Sequence, residues 1–166
     1  MNFNPYRYII KRYYSKDLTP CEFKLMNFWI PFFFNRIKII YVSDDFKKVD
    51  VLLKHTFWNR NPSKSLWGGA IFSAVDPFYP MILKQILLRQ DIETIFLTKS
   101  AQVEYIKEAK TNILFSFVVT NKEIENIKTI LSDNGKYDGW HEVYGIDSNN
   151  KKCIKAKIQV YLKLRN

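Results

Sequence analysis

At 166 residues, 47% hydrophobic and 25% charged, the chain suits a single soluble domain with a sizeable core. Its net charge of +10 would favour a nucleic acid, a membrane surface or a phosphate-bearing ligand, but the lysines alternate with apolar residues, most clearly over 151–165, and form no dense basic arm, so nucleic acid is not the expected partner. Cys21 and Cys153 offer neither metal-ligand spacing nor a disulfide framework, which points to a reducing, cytoplasmic setting without a metal site.

Residues 3–16 mix Tyr, Ile, Lys and Arg with rough helical periodicity, as an arm or a short helix would. Thr19, Pro20 and Glu22 make a helix start, with a hydroxyl at the N-cap, proline at N1 and a carboxylate at N3 to reach back. A helix from about 20 to 34 follows, weakened at Pro31. Its apolar run Leu25 to Phe34 is about half the roughly 20 residues that a membrane-spanning helix needs, and aromatic and charged residues before it leave no signal-peptide core. Aromatic residues crowd the first third of the chain and suggest an apolar surface that needs a partner; a lipid surface met by the N-terminal 34 residues is one such partner.

Residues 36–42 and 47–56, rich in β-branched and aromatic types, flank the turn Ser43-Asp44-Asp45 and predict a β-hairpin with His55 in its second strand. Residues 59–65 form a loop by composition. The apolar stretch 66–88 predicts a long helix buried on most sides. Strands are expected over 93–106 and 111–120, joined by the polar turn 107–110, with an amphipathic helix over 122–133. A last strand pair covers 139–147 and 151–164, where Ile154, Ala156, Ile158, Val160 and Leu162 alternate with polar residues. The sum is an α+β domain: about six strands, most of them in hairpins, and one long helix between the second and third, around which the sheet must wrap.

Little in the chain carries chemistry. His55 and His141 stand near no nucleophile, and no phosphate-binding glycine pattern occurs. Asp76, in the run GGAIFSAVDPFYP, is the exception. A carboxylate in so apolar a setting is desolvated and made more basic; Asp followed by Pro is equally the pattern of an N-cap, with a helix starting at Pro77. Gly68 and Gly69 would let a ligand approach the N–H groups of a helix start, or serve tight packing. On an unbroken helix Gly69 and Asp76 lie roughly 10 Å apart. One site using both would need two antiparallel copies of the helix, hence a dimer. Pro77 and Pro80 would free the carbonyls of Ser73 and Asp76 and kink the helix.

The sequence NRN at 59–61, then GG, six residues and DPFY, resembles the central helix of the hotdog-fold thioesterase superfamily. It looks closest to a branch described only as a domain of unknown function. The flanking FWIPFFFNRIKI, SAQVEYIKEAKTNILFSF and EVYGIDSNNKKCIKAKIQVYLKLR resemble the same branch, so the likeness spans about residues 24–165. It implies a hotdog fold over 24–166, a curved antiparallel sheet around a long central helix, preceded by a helical extension over 1–23. It also implies a homodimer or homotetramer and hydrolysis of an acyl-CoA or other acyl thioester, with coenzyme A part of the substrate and no further cofactor. A non-catalytic acyl-CoA or fatty-acyl binding protein is the alternative. Carried over by position, Asp76 is the catalytic carboxylate, Gly69 the oxyanion donor and Asn61 or Asn59 the group that orients thioester or water. Trp67, Gly68, Phe72 and Ser73 line the substrate. Related phenylacetyl-CoA type enzymes commonly have His where this chain has Trp67, which can shape a pocket but cannot take a proton.

Overall fold

The computed structural model describes residues 17–165; the expected arm over 3–16 lies outside them. Six antiparallel strands form one sheet: β1 (Ile37–Val42), β2 (Lys48–Leu53), β3 (Thr94–Tyr105), β4 (Ile113–Val118), β5 (Lys136–Asp147) and β6 (Lys152–Leu164), in the order β1-β2-β4-β5-β6-β3. The expected strands are all present, but β3 and β4 are not neighbours. The 107–110 segment carries the chain across the sheet: β3 pairs with β6 and β4 with β2. The central helix delivers β3 to the far edge, where the long alternating face of β6 offers eleven paired positions. Ile154, Ala156, Ile158, Val160 and Leu162 of β6 are fully buried, as their alternation predicts.

The N-terminal helix expected over 20–34 is broken. Helix α1 (Pro20–Lys24) starts at the predicted capping box, in which Thr19 Oγ1 accepts from Glu22 N while Glu22 accepts from Thr19 N. A 3₁₀ turn (Leu25–Phe28) follows, and α2 (Ile30–Asn35) begins anew with Pro31 in its first turn. Proline is a good second residue for a helix but a poor interior one, so it opens a segment here rather than weakening one. Leu18 and Phe23 belong to the same core as the sheet, which therefore reaches back ahead of residue 24.

The apolar stretch predicted as one helix forms two in line: α3 (Gly68–Ser73) and α4 (Phe78–Leu88), joined by a turn at 74–77. Together they are long and apolar enough to cross a membrane, but 67% of the span's most apolar window is buried inside the domain, as befits a core helix. Phe78 stacks between Phe32 (5.5 Å) and Phe117 (4.9 Å), and Tyr79 meets Phe117 edge-on at 5.2 Å. The Tyr79 hydroxyl donates to Glu142 O at 2.6 Å, securing α4 to β5. At the other end of α4, Arg89 donates to Leu18 O (2.9 Å), to Asp44 O and to Asp17 (2.8 Å), with its guanidinium 4.6 Å from the Phe46 ring centre. Helix α5 (Asn121–Asn134) starts with a second capping box at Thr120 and Glu123, and ends at Gly135, whose φ of 68° suits glycine.

Phe117 is fully buried and touches both aromatic residues of the central motif. Phe117→Ala is expected to cost about 3–5 kcal/mol, read as a lower urea midpoint with an unchanged m-value.

Candidate active site

Asp76 sits in the turn between α3 and α4 and does not cap α4. The N-cap position is Pro77, in helical conformation and without a side-chain cap, and Asp76 N still donates to Phe72 O at 3.0 Å. The chain therefore passes from α3 into α4 through a turn at 74–77 in which Asp76 is not the cap, which removes the capping alternative. Pro80 has no N–H to offer the Asp76 carbonyl, and the vacancy is filled from the sheet: Thr98 Oγ1 donates to Asp76 O at 3.0 Å. Thr98 was not a candidate from sequence. The signal was present in Pro80, since a freed carbonyl at a half-buried position must find a donor.

The Asp76 side chain is half-buried, and no cation pairs with it among the described residues. Desolvation raises its pKa above 3.8, and the Thr98 hydroxyl draws it partly back. It is a partly dried carboxyl, without a cationic partner among the described residues, held in the turn between α3 and α4.

Gly68 and Gly69 start α3, and their N–H groups make no hydrogen bond among the described residues. A Cβ on Gly69 would lie 2.4 Å from the Trp67 ring, so the indole folds back over this glycine. Trp67 itself is 56% exposed. A Cβ on Gly68 would lie 3.0 Å from the Tyr105 hydroxyl, which donates to Gly68 O at 3.3 Å. Phe72 is exposed and Ser73 half-buried, its hydroxyl donating to Gly69 O at 2.8 Å. A cleft of about 420 Å³ opens at this helix start, lined among others by Asn61, Ser65, Gly68, Ile71, Tyr105 and Lys107. Asp76 does not line it. Within one chain the two ends of the expected site stay apart.

Both asparagines carry structural bonds. Asn59 is buried; its Oδ1 accepts from Thr56 N and Oγ1, and its Nδ2 donates to Asn35 O and Lys54 O, both at 2.8 Å. Asn61 faces the cleft, with its amide engaged by Ser65 N and Oγ. Lys107, a cation of the cleft wall, is paired at 2.6 Å with Asp147, whose carboxyl it holds down to about 2. Tyr105 and Lys107 were not candidates from sequence.

His55 lies just past β2 rather than in it, with Nε2 2.8 Å from Lys64 O. His141 is buried between Tyr79, stacked at 4.9 Å, and Tyr137, whose hydroxyl lies 3.2 Å from Nε2. Burial lowers its pKa. Neither adjoins Asp76 or the cleft in any bond.

The profile of a family described as a domain of unknown function, DUF4442, matches residues 23–162. No curated protein matches the sequence. Among solved structures, a Pseudomonas aeruginosa protein of unknown function, described as a probable thioesterase, superposes with a TM-score of 0.74 at 15% identity, over 90% of this chain and 100% of that one. A Haemophilus influenzae thioesterase gives 0.65 at 8% identity, over 91% of this chain and 94% of that one. The E. coli PaaI protein of the phenylacetic acid degradation operon gives 0.55 at 13%, over 80% and 81%. The shared architecture is the hotdog fold.

Two outcomes follow from this geometry. The folded chain holds the Asp76 proton more tightly than the unfolded chain, so this group's contribution to stability falls as pH rises from 3.8 through its raised folded pKa. Asp76→Asn is therefore expected to melt higher than wild type at pH 7, with the gain shrinking as pH falls towards 3.8 in a series of thermal melts. Thr98→Val orphans the Asp76 carbonyl and is expected to cost about 1–2 kcal/mol in urea unfolding.

Proposed function

We propose that this chain, which belongs to the DUF4442 family, is an acyl-thioester hydrolase acting on acyl-CoA with Asp76 as its catalytic carboxylate. The observation that carries the reading is the half-buried Asp76 side chain, raised in pKa by desolvation and without a cationic partner among the described residues. A structural aspartate at such a depth is usually paired or capping; this one is neither.

In the proposed reaction Asp76 takes a proton from water as the water oxygen attacks the thioester carbon. The oxyanion forms against the Gly69 N–H of a second copy, and the coenzyme thiolate departs with the carboxylic acid as the other product. The second copy is needed because the roughly 10 Å between Gly69 and Asp76 along one helix is too long for one carbonyl to touch both. A homodimer is supported by β3, a sheet edge bonded on one side only, with Ile95 and Leu97 exposed. The cleft at the helix start would receive the substrate, with Leu66 and Ile71 as apolar walls and Asn61 at its polar rim, while the exposed Trp67 and Phe72 would meet the substrate outside that lining. The binding-only reading draws its support from Trp67, which lies over Gly69 where the related enzymes commonly carry His.

Hydrolysis of a series of acyl-CoA esters tests this. Asp76→Asn is expected to lower kcat by about 10²–10⁴-fold with the dimer intact by light scattering. Equal rates would remove Asp76 from the reaction, and no turnover by wild type would leave the binding-only reading. For an active wild type, kcat/KM is expected to rise with pH through an inflection above 3.8 that Asp76→Asn lacks.

A further inference from the structure

The 3₁₀ turn at 57–59 lies beside α2, and the two segments share their exposed aromatic residues. Phe57 and Trp58 project from the turn, Ile30, Phe33 and Phe34 from α2, and Phe28 from the 3₁₀ turn before it; Phe28 is 77%, Phe57 75% and Trp58 68% exposed. Arg36 joins them, its guanidinium 5.2 Å from the Phe33 ring centre and 5.7 Å from that of Trp58, while Arg60 lies 5.2 Å from Phe57. One surface therefore alternates wide apolar rings with cations stacked at their faces. The segments that carry it bring charge of one sign only. Residues 23–43 and 51–75 contain six cations (Lys24, Arg36, Lys38, Lys54, Arg60 and Lys64) and no Asp or Glu.

We propose that this aromatic and cationic surface docks the protein onto the face of an anionic lipid bilayer, with Phe57, Trp58 and the rings of 28–34 entering the interface and Arg36 and Arg60 meeting headgroup phosphates. Three observations select that occupant. The charge is complementary to an anionic leaflet and interspersed with the apolar groups, as at a membrane interface. The aliphatic Leu25 and Ile30, 51% and 60% exposed, gain from acyl chains but have no ring on which a nucleic-acid base could stack. Trp58 is of the type concentrated at membrane–water interfaces, and the phenylalanines supply the apolar area that an interfacial surface buries. The surface continues towards the candidate site, since α2 packs beside α3 and Asn59 O accepts from Trp67 N at 2.8 Å. The proposal does not depend on hydrolysis.

Sedimentation of the full chain with phosphatidylcholine vesicles containing phosphatidylserine at about one lipid in three is the test, because each cation near such a surface adds roughly fivefold to partitioning. Wild type is expected to co-sediment, and far less with pure phosphatidylcholine. Arg36→Gln with Arg60→Gln is expected to weaken binding roughly 25-fold, and Phe57→Ser with Trp58→Ser to abolish it, both with an unchanged circular dichroism spectrum. Absence of binding by wild type, or binding indifferent to both double variants, would overturn the proposal. So would a fall in light-scattering mass in Phe57→Ser with Trp58→Ser, since the surface would then belong to contact between copies. A wild type that binds vesicles yet hydrolyses no acyl-CoA would uphold this proposal and defeat the hydrolase reading alone.

Discussion

The bond from Thr98 Oγ1 to the Asp76 carbonyl, 3.0 Å long, is the constraint on which the candidate site depends. Two prolines within four residues strip the central helix of its own hydrogen bonds at the point where it carries its one acidic group. Without a donor from β3 the interruption would leave a half-buried carbonyl bare, at a cost comparable with the bond itself. Phe78 and Tyr79, immediately after the break, fix the other side of it by packing on Phe117 and bonding to Glu142. The Asp-Pro-Phe-Tyr motif thus divides its labour: the carboxyl is held at the edge of the core by two rings inside it and one hydroxyl across from it.

Most of the fold was legible because burial patterns have local periods. The alternation in β6, the capping box at Thr19 and the long apolar stretch around Asp76 are read from neighbours in sequence. The misreadings share a different cause. The pairing of β3 with β6 and the parting of β3 from β4 are decided by where the central helix ends, a matter of three-dimensional closure rather than of the turn at 107–110. Pro31 would weaken a continuous helix; the chain restarts there instead, with the proline in the first turn of α2.

At the site, legibility follows the same line. Asp76, Gly68 and Gly69 stand out locally, as a charge in an apolar run and a pair of small residues. Thr98 and Tyr105 on β3, and Lys107 just after it, are distant in sequence from the helix residues they meet and carry no local mark. Asn59 shows the converse: the resemblance implies a part in the chemistry, while its four hydrogen bonds join it to Thr56, Asn35 and Lys54. A polar side chain inside a loop that must turn sharply has backbone groups to satisfy, and only the folded chain reveals that they take all of its capacity.

Arg89 gives the central helix a polarity unrelated to its dipole. Its contacts with Asp17, Leu18, Asp44 and the Phe46 ring bind the C-terminal end of α4 to the N-terminal segment and to the β1–β2 turn. The opposite end begins at two glycines beneath an exposed indole. Local opening is governed by the contacts that must be given up, so the helix is clamped at one end and loosely tethered at the other. The two ends of the central helix are thus tied to different parts of the domain, the C-terminal end to the N-terminal segment and the β1–β2 turn, and the start to Asn59 and Tyr105.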